Sequence, residues 1–575
     1  MFIEFRREVE DALKDALDSA GYVTHDLALE KPPNDIDADL ASTVSFHLTE
    51  EGSPVETAEE IYSKINLGDY GLISGVETRG PYINFSVSDR YLERTLEESQ
   101  DESYGNLEQK DEKIILEHTS ANPTGPLHVG RTRNPIIGDS LARVLRGAGY
   151  DVSVEYYIND MGRQVATITW ALNNLDESDL TEETEQARDK PDYEIVRYYR
   201  EAHRILDRED KGAEQAQKDI DDLLQALEDG NEAALKLVEE AVDRCLNGQL
   251  QSLERLGASY DNFVKESRFV IEGEVDEVAE KLKQDRRCYE EEDAFMLDLS
   301  DFDIEKELVF LRSDGTSLYP TRDIAYHLDK FERCDTAINV LGEDHRLEAG
   351  QLSAALEIVG SEMLPEVVFY SYVNLPEGKM STRSGNVVNM DDLLDEAVKR
   401  AREEIESRSE DRERDISNVE ETAEEIGIGA VRFDIVSRQP EKPITFDWDE
   451  ALNFEGQHAP YVQYVHARAS GILEKADAKP AVDVSELGGE EELALMRKIG
   501  ELTDVVNSAA EERSPHKLAT YSRELAERFN EFYRECPVID AEEGVREARL
   551  ALTKSARNTI ARSLGYIGVE APEAM

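Results

Sequence analysis

Two short stretches hold residues of the kind that handle a nucleotide. Residues 121–131 read ANPTGPLHVGR. A small-residue loop leading into a helix offers free N–H groups and positive potential to a triphosphate. Within it, His128 can donate to phosphate oxygens, and Gly130 lets a flat base approach the backbone. Residues 378–388 read GKMSTRSGNVV, a small polar loop with cations at Lys379 and Arg383. Such a loop can close over a pyrophosphate leaving group and stabilise charge that grows in the transition state. Each stretch alone is a weak signal, because a lone histidine is more often structural and a basic turn is often merely exposed.

The elements around these stretches sharpen the reading. Apolar residues at 114–117 predict a strand, and residues 151–157 a second one. Between them Ile137, Leu141, Val144, Leu145 and Ala148 share one helical face, with Gly149 as a stop. That is a βαβ unit and hence a parallel sheet. Strand-like runs return at ELVFLRS (307–313), AINVLG (337–342) and VVFYSYV (367–373), alternating with helical stretches. The expected fold class is α/β, with a doubly wound, Rossmann-like parallel sheet over 106–402. A largely helical acidic insertion is expected near 176–260. Residues 1–105 read as an α+β module with strands at VSFHLT (44–49) and YINFSVS (82–88). A charged connector spans 403–425, and 426–575 is helical throughout, an all-α bundle. No internal repeat is present.

Composition bounds the alternatives. The chain has 575 residues, 127 Asp+Glu against 64 Lys+Arg, and a formal charge of −63. Only 22 of the basic residues are lysine. Apolar residues make up 40%, which suits packed cores rather than disorder. Such a charge repels itself until salt shortens the Debye length to roughly 3 Å near 1 M. The reading is a folded protein adapted to a very salty cytoplasm. Acidity weakens a nucleic-acid hypothesis without removing it, since local patches and stacking can override net charge. No run reaches the roughly 18 apolar residues of a membrane helix. The N-terminus is an acidic amphipathic helix, not a signal peptide, so a cytoplasmic location without membrane contact is expected. Cys245, Cys288, Cys334 and Cys536 stand far apart, which excludes a zinc ribbon and a dense disulfide framework.

Taken together and in this order, the two stretches resemble the paired signatures of class I aminoacyl-tRNA synthetases. Arg131 stands where the first signature usually has histidine, and Thr382 where the second often has lysine. Three further stretches, YYINDMGRQ (156–164), SDGTSLYPTRDIAYHLDKF (313–331) and FEGQHAPYVQYVHAR (454–468), closely resemble the arginyl-tRNA synthetase family. The resemblance runs almost end to end.

It implies a ligase for L-arginine, ATP and a tRNA with an arginine anticodon, with magnesium on the ATP and no resident metal. By resemblance, Glu117 and Asp323 face the guanidinium, and Tyr319 adds a hydroxyl. Asn122 holds the α-amino group, with His345 near it. The resemblance assigns ATP to Pro123, Gly125, His128, Gly130, Arg131, Asp344, Lys379 and Met380. It assigns the chemical step to His128, Gly130, Lys379, Ser381 and Arg383. Tyr461, Gln463 and Tyr464 fall where the family's C-terminal domain reads the anticodon, and the N-terminal module contacts tRNA. A monomer is expected. Bidentate pairing suits a guanidinium, and a site built on paired carboxylates rejects lysine by roughly 10⁴-fold or more. Alone, Asp323 reads better as a partner of Arg322 or a helix cap, and only the constellation outweighs that. Arg432 and Lys442 either meet the acceptor stem or pair with nearby acids. Two rivals are a ligase passing an aminoacyl-adenylate to a small acceptor, and a non-catalytic tRNA-binding paralogue.

Overall fold

The computed structural model describes the chain apart from residues 25, 34–35, 37, 49–51, 182–187, 292, 314, 375–388, 411–417 and 454–455. The stretch 378–388, with Lys379, Met380, Ser381, Thr382 and Arg383, lies outside the described residues.

At the centre is a five-stranded parallel sheet. Its order is Glu366–Tyr370, Thr336–Gly342, Lys113–Glu117, Asp151–Ile158, Asn262–Lys265. The middle strands are apolar on both faces: Ile114, Ile115 and Leu116 are all buried, as expected where helices cover both sides. From Lys113–Glu117 the chain steps outward twice on one side, then returns to build the other side. Strand order therefore reverses between Lys113–Glu117 and Thr336–Gly342, and ligands bind at the carboxyl ends of strands at such a point.

The helix Arg133–Gly147 fills the first crossover and is buried on nearly every side. It packs on the sheet and also on the helices Val419–Val436 and Leu502–Glu511. Gly138 permits this: a Cβ there would lie 2.2 Å from the His118 ring. The acidic insertion forms the helices Pro191–Leu206, Lys211–Glu228 and Glu232–Leu256.

Three expectations need correction. Residues 44–48 are helix, not strand; the neighbouring strand is Leu40–Ser42. The Ser42 hydroxyl turns the chain out of the strand by accepting from the Val44 N–H. The ELVFLRS run does form a strand, Leu308–Arg312, but in a separate antiparallel sheet with Ala294–Leu297 and Cys288–Glu291. Too few residues separate Ala294–Leu297 from Leu308–Arg312 for a parallel crossover. The parallel sheet gains instead an unanticipated edge strand, Asn262–Lys265. Finally, Ile444–Thr445 pairs in parallel with Val373–Asn374, so the region after 426 is not wholly helical.

Beyond that bridge the chain is a helical array: Ala459–Lys475, Glu490–Gly500, Leu502–Glu511, His516–Glu535 and Val545–Gly565. The span 403–425 is the end of the helix Met390–Glu410 and the start of Val419–Val436, with 411–417 undescribed. The N-terminal module is a four-stranded antiparallel sheet with the helix Phe2–Ala20. It docks on the helical array through Arg6–Asp504 at 3.1 Å and Lys31–Glu501 at 2.9 Å. One continuous core joins the module, the first crossover and the array.

Candidate active site

The strand Lys113–Glu117 ends in a strained turn. Thr119 (φ 71°) and Ser120 (φ 42°) both sit in the left-handed region, at about 1–3 kcal/mol each. The turn is over-determined. The Thr119 N–H donates to Asn134 Oδ1 (2.7 Å), and the Tyr260 hydroxyl donates to Thr119 Oγ1 (2.6 Å). The Ser120 hydroxyl donates to Glu117 (2.9 Å) and accepts from the Tyr157 N–H (3.1 Å). This reversal lays residues 121–131 across the end of the sheet. Gln249 of the insertion holds them from below, donating to the carbonyls of Asn122 (3.1 Å) and Gly125 (2.8 Å). Gly125 itself has φ +151°, and a Cβ there would meet Val196 at 2.8 Å.

The loop ends in a single 3₁₀ turn, Val129–Arg131. His128 Nδ1 accepts from the Gly130 N–H at 3.0 Å. Burial, then Arg131, hold its pKa below the usual histidine range. A neutral ring accepting at Nδ1 carries its proton on Nε2, and His128 is exposed, so that N–H is available as a donor.

Beside the turn opens a cavity of about 350 Å³ at the strand ends, lined among others by Glu117, Tyr157, Glu266, Tyr319, Asp323 and His345. The helix Tyr319–Arg333 supplies its acidic wall. Asp323, His327 and Lys330, at i, i+4 and i+7, share its inner face. Lys330 is wholly buried, with Nζ 2.5 Å from Glu117 Oε2 and 3.0 Å from Asn339 Oδ1. The charge of Glu117 is thus matched within the protein. Asp323 is different: its carboxylate opens on the cavity, 45% exposed, and its partner is His327 Nδ1 at 3.1 Å. Burial acts to raise its pKa, but His327 and Lys330 outweigh that and hold it low. Arg322 points away, pairing with Glu228 (2.5 Å) and Glu266 (3.4 Å).

Glu266 was not anticipated from the sequence. It is fully buried; Oε1 faces Arg322, whereas Oε2 has no partner among the described residues. Burial pushes its carboxyl up to about 8, against the pull of Arg322. The buried Tyr157 hydroxyl likewise has no partner among the described residues. Buried polar atoms are almost always satisfied. Both residues line the cavity, and the half-exposed Asp323 carboxylate and the exposed Tyr319 open onto it, an arrangement that suits a cationic, multiply donating group.

Three family models match the chain in series. The Arg_tRNA_synt_N model, for an arginyl tRNA synthetase N-terminal domain, matches residues 4–87. The model for the catalytic domain of class I (R) tRNA synthetases matches 95–448. The DALR anticodon binding domain matches 462–575. An arginine–tRNA ligase of Haloarcula marismortui is 51% identical over 584 residues, covering 100% of both chains. One of Halorubrum lacusprofundi is 49% identical over 605 residues, again covering 100% of both. The chain belongs to the arginyl-tRNA synthetase family. The arginyl-tRNA synthetase of Thermus thermophilus superposes with a TM-score of 0.83 at 32% identity, covering 99% of this chain and 100% of that one.

Within this arginyl-tRNA synthetase fold, Glu117, Arg131, Tyr319, Asp323 and His345 line one cavity. Asn122 does not line it but is tied to Asn159, which does, accepting from Asn159 Nδ2 (2.8 Å) and donating to Gln164 (3.0 Å). Asp344 and His345 lie together at the end of Thr336–Gly342, each about half exposed. Pro123, Gly125, His128 and Gly130 form the loop over the sheet. In the helical array, Tyr461 and Tyr464 are partly exposed. The Tyr461 hydroxyl accepts from Asn530 (2.9 Å), and the Arg468 guanidinium lies 4.8 Å above the Tyr464 ring. Gln463 corrects an expectation. It is fully buried, its amide donating to the carbonyls of Glu425 and Glu570, so it holds the C-terminal tail and offers no surface to RNA. Arg432 is also fully buried, paired with Asp139 at 2.5 Å.

Proposed function

We propose that the chain attaches L-arginine to its tRNA through an arginyl-adenylate. The arginine carboxylate attacks the α-phosphate of ATP and releases pyrophosphate; the terminal ribose of the tRNA then takes the arginyl group. The single observation that carries this reading is the Asp323 carboxylate, held low in pKa and opening on a cavity that Tyr319 and Glu266 also line. A guanidinium brings planar N–H donors in a fixed fork, which suits two carboxylates and a hydroxyl.

On this reading Asp323, Glu266 and Tyr319 receive the guanidinium, and Glu117, neutralised by Lys330, shapes the end of the pocket. Asn122 and His345 take the α-amino group. Pro123, Gly125, His128, Gly130, Arg131 and Asp344 hold ATP, His128 donating through Nε2 to phosphate. Lys379, Met380, Ser381 and Arg383 act on the triphosphate from the other signature. Catalysis is then positioning plus electrostatics, with no side chain as covalent nucleophile. Magnesium keeps most of its water and phosphate ligands, so the half-exposed carboxylate of Asp344 is a sufficient protein neighbour for an ion arriving on ATP. Tyr461 and Tyr464 stack on unpaired anticodon bases, worth roughly 1–3 kcal/mol per base.

The test is arginine-dependent ATP–pyrophosphate exchange in high KCl, with and without tRNA bearing an arginine anticodon. Exchange with arginine and that tRNA, but not with lysine or cysteine, is expected. Exchange indifferent to tRNA favours a small-acceptor ligase, and tRNA binding without exchange at any salt favours a non-catalytic binder.

A further inference from the structure

The polar atoms behind the acidic wall form an unbroken chain with a defined direction. Lys330 Nζ sits 3.0 Å from Asn339 Oδ1. An ammonium can only donate, so this oxygen accepts and the Asn339 amide nitrogen faces the other way. That nitrogen is 2.7 Å from His327 Nε2. An NH₂ group can only donate, so Nε2 must accept and carries no proton. The imidazole therefore holds its single proton on Nδ1. Nδ1 is 3.1 Å from Asp323 Oδ1 and 2.8 Å from the Asp323 carbonyl. Every link but the last is buried: Lys330, Asn339 and His327 are each at most 3% exposed.

The components also sit where the fold leaves them little freedom. Asn339 is the direct cross-strand partner of Glu117 in the parallel sheet, and Lys330 bridges both. His327 is fixed one helical turn from Asp323. Burying a lysine and an asparagine beside a substrate pocket is costly unless they are fully hydrogen-bonded, and an apolar pair would fill the space at lower cost. What the polar set provides is a dictated tautomer.

We propose that Lys330, Asn339 and His327 are positioning residues that fix the His327 tautomer and thereby aim the Asp323 carboxylate at the guanidinium of arginine. This rests on the assignment of Asp323 to that guanidinium. The relay sets affinity for arginine, while ATP, tRNA and the chemical step do not depend on it.

The full-length enzyme tests this in two ways. His327→Asn keeps an amide donor close to the position of Nδ1; His327→Gln is as polar but reaches toward the position of Nε2. In aminoacylation assays His327→Gln should raise the arginine KM by about 10- to 100-fold, the range for losing a hydrogen bond to a charged group. Its kcat, ATP KM and tRNA KM should stay within about threefold of wild type. His327→Asn should recover most of the arginine KM. Equal effects of the two variants, or a loss of kcat instead of a rise in KM, overturn the relay. Asp323→Asn separates the two levels of the argument. If it leaves the arginine KM unchanged, the assignment of Asp323 fails and the relay with it. If it raises KM while His327→Gln does not, only the relay fails. Nitrogen-15 NMR of the histidine-labelled wild-type protein needs no variant to fold well in quantity: a protonated Nδ1 and bare Nε2 at His327 are expected. A proton on Nε2, alone or with one on Nδ1, overturns the proposal.

Discussion

At the scale of single residues, the pocket is a balance of carboxylates in unequal states. Glu117 is neutralised by Lys330, Asp323 is held ionised, and Glu266 is pushed up to about 8. Near pH 7 the Glu266 carboxyl is therefore mostly protonated, and a guanidinium that pairs with it must displace the proton. Arginine binding should release close to one proton per site at pH 7, measured by calorimetry in buffers of differing ionisation enthalpy. Affinity should rise with pH up to about 8 and then level. Glu266→Gln should abolish the release and weaken arginine about 10- to 100-fold. The same shift has a sign for stability. A folded-state value above the ordinary 4.5 means the native state binds the extra proton. Stability is then lost as pH rises from about 4.5 through 8, so Glu266→Gln should melt higher than wild type at pH 8.

At the scale of elements, the site depends on how closely the helix Arg133–Gly147 approaches the turn after Lys113–Glu117. Gly138 lies against the buried His118 ring, which lines the cavity and contacts Thr119 at 2.9 Å. Burial lowers the His118 pKa to about 4, so it acts as a neutral packing group. Gly138→Ala should push His118 toward the strained Thr119–Ser120 turn. Overpacking of this kind costs about 1–3 kcal/mol, and the arginine KM should rise with it because Ser120 supports Glu117. A variant that loses neither stability, by denaturant unfolding, nor arginine affinity would show that the turn is positioned by other contacts. Arg133 matters at the same scale: its guanidinium spans the carbonyls of Ser371, Gln439 and Lys442, tying the helix start to the end of the sheet and to the loop before Ile444–Thr445.

At the scale of the whole molecule, the decisive quantity is the charge of −63. Besides the shared apolar core, the contacts joining the N-terminal module to the helical array include partly exposed ion pairs, and exposed pairs are worth at most about 1 kcal/mol each. They cannot offset global repulsion at low salt. Raising KCl from 0.1 to 2 M should raise the melting temperature and merge separate transitions of module and core into one, followed by calorimetry. The slope of log affinity for tRNA against log salt should be shallower than for a basic synthetase of the same size. Stacking on Tyr461 and Tyr464 releases no counterions.

The sequence by itself determined the α/β class, the central βαβ unit, the helical C-terminal region and the family, because periodicity and signature spacing are local along the chain. It also named Glu117, Tyr319, Asp323 and His345, which the fold gathers on one cavity. The sequence did carry a trace of the relay, in the titratable residues at 323, 327 and 330 on one helical face. Nothing local revealed their shared partner Asn339, which comes from a different strand. Glu266 sits in a short helix remote in sequence from every signature, and only burial distinguishes it from the other acidic residues. Gln463 falls by resemblance among anticodon contacts, yet it is sealed in the core, and of the two readings open for Arg432 the structure shows the pairing with a nearby acid, Asp139. The strand-like pattern at 44–49 folds as a helix, and the one at 307–313 forms a strand whose neighbours the pattern left open. Which carboxylate keeps a free charge, which polar atom lacks a partner and which way a strand pairs are properties of residues brought together from distant segments, and only the tertiary structure decides them.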